Sequence, residues 1–163
     1  MILPFSLVIN GKNNDFIAKI WHCIFALNQE KDEELSAFFN KLSEEDRAKI
    51  DQVKPKLHTI RRDQSDLWKK GMDIEPVVSD DSVSPLQFAP TLKCLAIQLI
   101  SIEYKEEKVV VTVDGKILSS EEVETLAEND GFDALEDFYA YFNYNFKGKL
   151  IHWTKLKYPN HTL

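Results

Sequence analysis

The sequence predicts an α+β fold, a mixed β-barrel of five to six strands flanked by helices. Three observations carry this reading. Apolar residues recur at helical spacing between positions 16 and 53, then switch to the alternation of extended chain. Turn signals at Asn10–Gly11, Gly71 and Asp114–Gly115 punctuate the extended runs. Most strands follow one another directly, in the order β-α-(αα)-β-β-β-β-α-α-β, which suits a small closed sheet with helices outside it.

Each element has a local reason. "MILPFSLVI" is β-prone and stops at the turn "NGKNND". Asp15 is placed to cap a helix through "FIAKIWHCIFALN", with Phe16, Ile20, Ile24 and Leu27 on one stripe. "KDEELSAFFNKL" and "SEEDRAKIDQV" read as a charged helical pair, the second capped by Ser43. Pro55 ends that run, because a residue before proline is pushed out of the α region. "KLHTIR" then alternates, with Leu57, Thr59 and Arg61 on one face and His58 and Ile60 on the other. "WKKGMDIEPVV" is a glycine turn and a strand, and "SDDSVSP" is a polar loop. "TLKCLAIQLISIEYK" and "EKVVVTVDGKIL" are strands, the second bent at Asp114–Gly115. "SSEEVETLAENDGF" is a helix capped by Ser119 or Ser120 and ended by Gly131. "DALEDFYAYFNYNF" is a helix capped by Asp133, and "KGKLIHWTKLKY" is the closing strand.

The length of 163 residues suits one domain, residues 1–163, with a helical insert at about 30–53. Hydrophobic content of 44% and charged content of 29% match a globular chain, and no run of 18 apolar residues could cross a bilayer. The opening residues lack a basic segment and a cleavage site, so a cytoplasmic location is expected. Cys23 and Cys94 sit in apolar runs without a CxxC partner and read as buried free thiols.

Charge is unevenly distributed. The chain carries −7 overall, and residues 101–137 hold twelve acids against three lysines. Against this, residues 54–71 collect Lys54, Lys56, Arg61, Arg62, Lys69 and Lys70 against Asp63 and Asp66. An acidic chain with one short basic stretch is a poor tracker of long polyanions, which need a broad basic face, but it suits a confined positive site. The histidines do not form a metal set. His22 and His152 lie beside tryptophans in apolar runs, His161 is in the tail, and no pair has the i, i+4 spacing of a zinc helix. No GxSxG, Walker or GxGxxG pattern occurs, so no metal and no cofactor is expected.

The basic stretch carries a resemblance. A lysine three residues before a threonine, then Ile-Arg, then Trp-Lys-x-Gly and an apolar strand, is similar to the ASCH domain of the PUA-like superfamily. More narrowly, it resembles small bacterial N(4)-acetylcytidine amidohydrolases. Their K-T-I-T-I-R segment looks like "KLHTIR", and their F-K-x-G-D-x-L turn looks like "LWKKGMDIE". Their L-T and A-E-Q-E-N helix looks like "ILSSEEVETLAENDGF", and their closing P-G-x-x-x-F-Y-V-I-x-F strand looks like "FKGKLIHWTKL". The similarity runs over residues 54–158 and the first strand, while the helices between 30 and 50 have no counterpart in the smallest members.

The resemblance implies a PUA-like mixed barrel and a catalytic set of Lys56, Thr59 and Asp130. It implies a lysine base, a threonine hydroxyl acting as nucleophile or water-orienting group, and a carboxylate for the second proton transfer. Two departures stand out. Asp130 is one methylene shorter than the family's glutamate, which withdraws its oxygens by about 1.5 Å. His58 stands where the family has a smaller residue. Arg61, Arg62, Trp68 and His58 are the candidate substrate-binding residues. For Arg61 a structural pairing with an acid between 121 and 137 is the rival reading, and for Trp68 a place in the core rather than stacking on a base.

Three functions follow as expectations. One is an amidohydrolase acting on an acylated nucleoside. Another is a non-catalytic module binding RNA or a modified nucleotide in the same cleft. A third is an interaction protein whose 101–137 acidic surface meets a basic partner. Thr59 and the carboxylate must converge in space for the first.

Overall fold

A computed structural model describes residues 1–27, 33–78, 85–106 and 108–159. The polar loop read at 79–85 falls outside them except for Pro85, as does His161. The fold is α+β. Two compact units emerge, Met1–Lys56 with Asp73–Lys93, and Leu57–Met72 with Cys94–Leu163.

In the first unit, strand β1 (Ile2–Phe5) runs parallel to β5 (Asp73–Val78), from Ile2 opposite Glu75 to Phe5 opposite Val78. Two short strands, β6 (Leu86–Gln87) and β7 (Leu92–Lys93), pair antiparallel with β5. The run read as a single opening strand is two pieces. It breaks after Phe5, where Ser6 Oγ accepts from the Val8 amide and its carbonyl takes Asn14 Nδ2. Beyond the break, β2 (Val8–Ile9) and β3 (Lys12–Asn13) form a hairpin on Asn10–Gly11, both at positive φ.

Helix α1 (Phe16–Leu27) starts where predicted, but its cap differs. Asn14 Oδ1 accepts from the Phe16 amide, while the Asp15 carboxylate pairs instead with Lys49 at 2.9 Å. Lys49 bridges Asp15 and Glu45, so the second insert helix is tied to the start of α1 by charge. That insert is α2 (Glu33–Lys41) and α3 (Glu44–Lys49), followed by a 3₁₀ turn over Ile50–Gln52. Ser43 caps α3 by accepting from the Asp46 amide at 3.0 Å. Trp21 is fully buried on α1 and donates its indole N–H to the Phe88 carbonyl at 3.0 Å.

The second unit is built on a five-stranded antiparallel sheet in the order β10-β9-β8-β11-β4. Its strands are β4 (His58–Arg61), β8 (Ala96–Lys105), β9 (Lys108–Val113), β10 (Lys116–Ile117) and β11 (Phe146–His152). Alternation in β8 turns Ala96, Gln98, Ile100 and Ile102 inward. Asp114 and Gly115, both at positive φ, make the turn between β9 and β10. Helix α4 (Ser120–Asn129) opens on a complete capping box between Ser119 and Glu122. It closes on Gly131 at φ +94, with the Gly131 amide bonded to the Glu128 carbonyl and the Phe132 amide to the Ala127 carbonyl. Helix α5 (Leu135–Tyr141) is capped at Ala134 rather than Asp133, and alanine brings no side-chain acceptor. Phe132, Phe138, Phe142 and Phe146 pack edge-on or tilted beneath it.

The predicted closed barrel is not found. Among the described residues the sheets are open, and the reason is visible at β4. Its free edge meets the end of α4: the Leu57 amide bonds the Asn129 carbonyl at 2.8 Å and the Ile60 amide bonds Asp130 Oδ1 at 3.0 Å. A helix end occupies the hydrogen-bonding positions where a further strand would pair. The strand read across 91–105 also divides. Cys94 and Leu95 turn their amides to Met72 and His152, which separates β7 from β8.

Two close approaches fix β11. A Cβ at Gly148 would press into the Arg61 carbonyl and the Phe146 ring, so the strand passes there only without a side chain. Next to it, the buried Lys149 ammonium donates to Asp63 at 2.7 Å, Asp66 at 2.5 Å and the Trp68 carbonyl at 3.0 Å. Asp63 also accepts from the Leu67 and Trp68 amides, so one cation organises the whole turn 63–68. Lys149→Met fills the space but leaves Asp63 buried without its cation. It is expected to cost about 3 kcal/mol or more in urea unfolding, whereas Lys147→Met on the exposed face should cost under about 0.5 kcal/mol.

Candidate functional site

The second unit carries two of the predicted catalytic residues, Thr59 on β4 and Asp130 at the end of α4. Asp130 is the C-cap of α4, and its Oδ1 accepts from the amide of Ile60, the neighbour of Thr59. The bond spans 70 residues of chain. Thr59 is 3% exposed and Asp130 5% exposed, so both lie in an interior that excludes most water. The Gly131 stop places the carboxylate: helix α4 must end there, and the residue before the glycine is presented to the strand.

Lys56 belongs to the first unit. It is 1% exposed, its amide donates to the Lys19 carbonyl at 3.0 Å, and its ammonium lies 4.5 Å above the centre of the Phe16 ring. A cation over an aromatic face is held by the ring's negative quadrupole.

Around Asp130 lies a polar chain that the sequence reading did not assemble. His58 Nδ1 stands 3.5 Å from Asp130 Oδ1. On its other side, His58 Nε2 hydrogen bonds the Tyr158 hydroxyl at 2.9 Å, and Asn129 Nδ2 donates to the same hydroxyl at 2.8 Å. His58 and His152 are directly paired across β4 and β11, with ring centres 5.2 Å apart. Neither ring nitrogen of His152 has a hydrogen-bond partner among the described residues. Tyr158 is anchored further by its backbone to the Gln98 side chain, whose Nε2 also bonds Asp114. Pairing β4 with β11 in register would have revealed the histidine pair, since both residues were known. Tyr158 follows the last strand without any local signal.

The electrostatics follow from burial. Burial pushes the His152 imidazole down to about 3, so the ring is neutral near neutral pH. The Tyr158 phenol is pushed up, also by burial, and keeps its proton. Arg61 is lowered by burial, with the Asp130 carboxylate opposing that fall.

The other binding candidates separate. Trp68 is 8% exposed and sits in the core beside the Lys149 cage. Arg62 is exposed and stands 5.6 Å from the ring centres of both Tyr144 and Phe146. It lines a cleft of about 600 Å³ with Gln64, Glu103, Lys105, Phe146 and Lys147. Cys23 and Cys94 are buried free thiols. Among the described residues no group of three or more His, Cys, Asp or Glu is arranged to hold a metal, and no helix is long and apolar enough to cross a membrane.

His152 makes stability depend on pH. Its folded pKa lies below the unfolded value, so between 6.5 and about 3 the unfolded chain binds the extra proton and stability falls as pH falls. Comparing urea unfolding at pH 7 and pH 5 should show a loss of about 2 kcal/mol from this residue. In His152→Leu that share of the loss should vanish.

No protein-family model matches the chain, and no curated protein or solved structure matches it either.

Proposed function

We propose that this chain is a PUA-like, ASCH-type amidohydrolase that removes the acyl group from an N-acylated nucleoside such as N(4)-acetylcytidine. The observation that carries the reading is the Asp130 bond to the Ile60 amide. The resemblance required a carboxylate from the end of a helix to meet the strand bearing Thr59, and Asp130 reaches that strand at the next residue. In this reading the C-cap position, which sets the carboxylate against the strand backbone, makes up for the missing methylene.

The chemistry asks three things of the residues. Water adds its oxygen to the acyl carbon, the carbon–nitrogen bond breaks, and the exocyclic amine leaves with a proton. Lys56 is the base that the resemblance implies, and Thr59 supplies the hydroxyl that attacks or orients the water. Asp130, held by a backbone donor in a site of low water content, handles the second proton. An uncharged nucleoside meets no barrier from the acidic surroundings of residues 101–137.

A second reading is favoured by the Arg62 cleft. Three cations, Arg62, Lys105 and Lys147, face one acid, Glu103, and an arginine beside two aromatic rings suits a base and its phosphate. In that reading the chain binds a nucleotide or RNA end without cleaving it.

Incubation with N(4)-acetylcytidine, followed by chromatography, should release cytidine and acetate. Thr59→Val and Asp130→Asn should each slow release by about two orders of magnitude or more, the usual size of a lost proton-handling contact, with the fold retained. Lys56→Ala should stop it. Binding without cleavage would transfer the assignment to the second reading, and neither binding nor cleavage would end the first.

For the second reading, Arg62→Glu should weaken cytidine monophosphate binding at least ~10-fold in calorimetry. Short RNA should show a shallow salt slope. A slope equivalent to about six released counterions would mark a backbone tracker instead.

A further inference from the structure

The two positions at which this chain departs from the resembled pattern lie against each other. His58 occupies the strand position where a smaller residue was expected, and its Nδ1 faces the shortened acid, Asp130, at 3.5 Å. The hydrogen-bond chain behind the ring bears on where the imidazole proton sits. Asn129 Nδ2 donates to the Tyr158 oxygen, which leaves the phenolic O–H available to His58 Nε2. An imidazole that accepts at Nε2 carries its proton on Nδ1. The opposite tautomer would turn a bare Nδ1 lone pair toward the carboxylate.

We propose that His58 is a positioning residue: Asn129 and Tyr158 lock it as the Nδ1–H tautomer, and its N–H joins the Ile60 amide in addressing Asp130 Oδ1. The Ile60 hydrogen bond and the N–H dipole facing the same oxygen at 3.5 Å together favour the ionised carboxylate and fix its direction. The raised Tyr158 phenol keeps the proton that this chain requires, and the neutral His152 adds no competing cation. Besides His58, Arg61 on β4, His152 on β11 and Tyr158 beyond it feel Asp130. The Arg61 guanidinium favours the same ionised state. A role in catalysis rests on the hydrolase reading, whereas the tautomer and its effect on Asp130 do not.

The test has arms that separate the two. In ¹⁵N-histidine-labelled wild-type protein at pH 7, long-range correlation spectra should show His58 with a protonated Nδ1 and an unprotonated Nε2. The Nε2–H form, or an imidazolium, overturns the proposal without any variant. His58→Asn keeps an N–H near the Nδ1 position, while His58→Gln keeps one only near Nε2. The carboxyl carbon of Asp130, followed by ¹³C spectroscopy, should titrate about one pH unit higher in His58→Gln and within about half a unit of wild type in His58→Asn. Equal shifts in both variants overturn the proposal. If wild type cleaves N(4)-acetylcytidine, His58→Gln should lower kcat about 10-fold with little change in KM, and His58→Asn should restore most of it. If wild type cleaves nothing, the hydrolase reading fails and the spectra still decide the role of His58. Should the His58 variants fail to fold, Tyr158→Phe replaces them: loss of the Nδ1–H preference supports the lock, and its persistence overturns it.

Discussion

The Asp130 carboxylate on the Ile60 amide is the contact on which the second unit depends. A strand at the side of a sheet leaves alternate amides and carbonyls pointing outward, and each must find a partner or water. Here the end of α4 supplies the partners, Asn129 through its carbonyl and Asp130 through its side chain. The bond therefore joins helix to sheet, closes the β4 edge and brings a carboxylate to the strand that bears Thr59. A charged acceptor strengthens the bond relative to a neutral one, as expected for a carboxylate meeting a backbone donor.

Buried polarity elsewhere follows the same logic. Lys149 is inside, and it is surrounded by two carboxylates and a carbonyl. His58 is inside, and Tyr158 meets its far nitrogen. The basic surplus read in residues 54–71 changes meaning as a result. Asp63 and Asp66 bind a lysine from outside the stretch, and Lys69 also meets Asp66. Trp68 is consumed by the core, and Arg62 is left outward over two rings. The stretch divides: Lys56 is buried and Arg61 half-buried, while Arg62 faces outward beside a cleft and Lys54, Lys69 and Lys70 are exposed.

How much of this was legible depended on the range of the signal. Local devices read well: Ser43 and Ser119 cap their helices, Gly131 ends α4, and Asp114–Gly115 turns the sheet. Each is decided within a few residues, where composition and backbone preference act directly. Competition between neighbours read less well. Asn14 displaced Asp15 as the capping acceptor because Lys49, far along the chain, drew the Asp15 carboxylate away. Long-range closure was not legible. The apolar alternation of β4 could not say whether its edge would meet a strand or a helix end, and so the expected barrel became an open sheet. In the candidate site, Thr59 and Asp130 came from the resemblance, while Tyr158 and Asn129 join only through a hydroxyl and an amide distant in sequence.

Gly148 has a consequence for how the sequence can drift. Its missing side chain is the clearance through which β11 passes the Arg61 carbonyl, and that obstacle is backbone, which cannot rotate aside. Surface positions on the same strand, such as Lys147, tolerate exchange because a new side chain meets solvent. At 148 every replacement adds an atom where a carbonyl already stands, so the position is a mutational bottleneck between a variable surface residue, Lys147, and a constrained one, the caged Lys149. An exchange at Lys147 can be accepted by itself, but a change at 148 requires β4 to shift with it, and β4 is pinned on its other side by a helix.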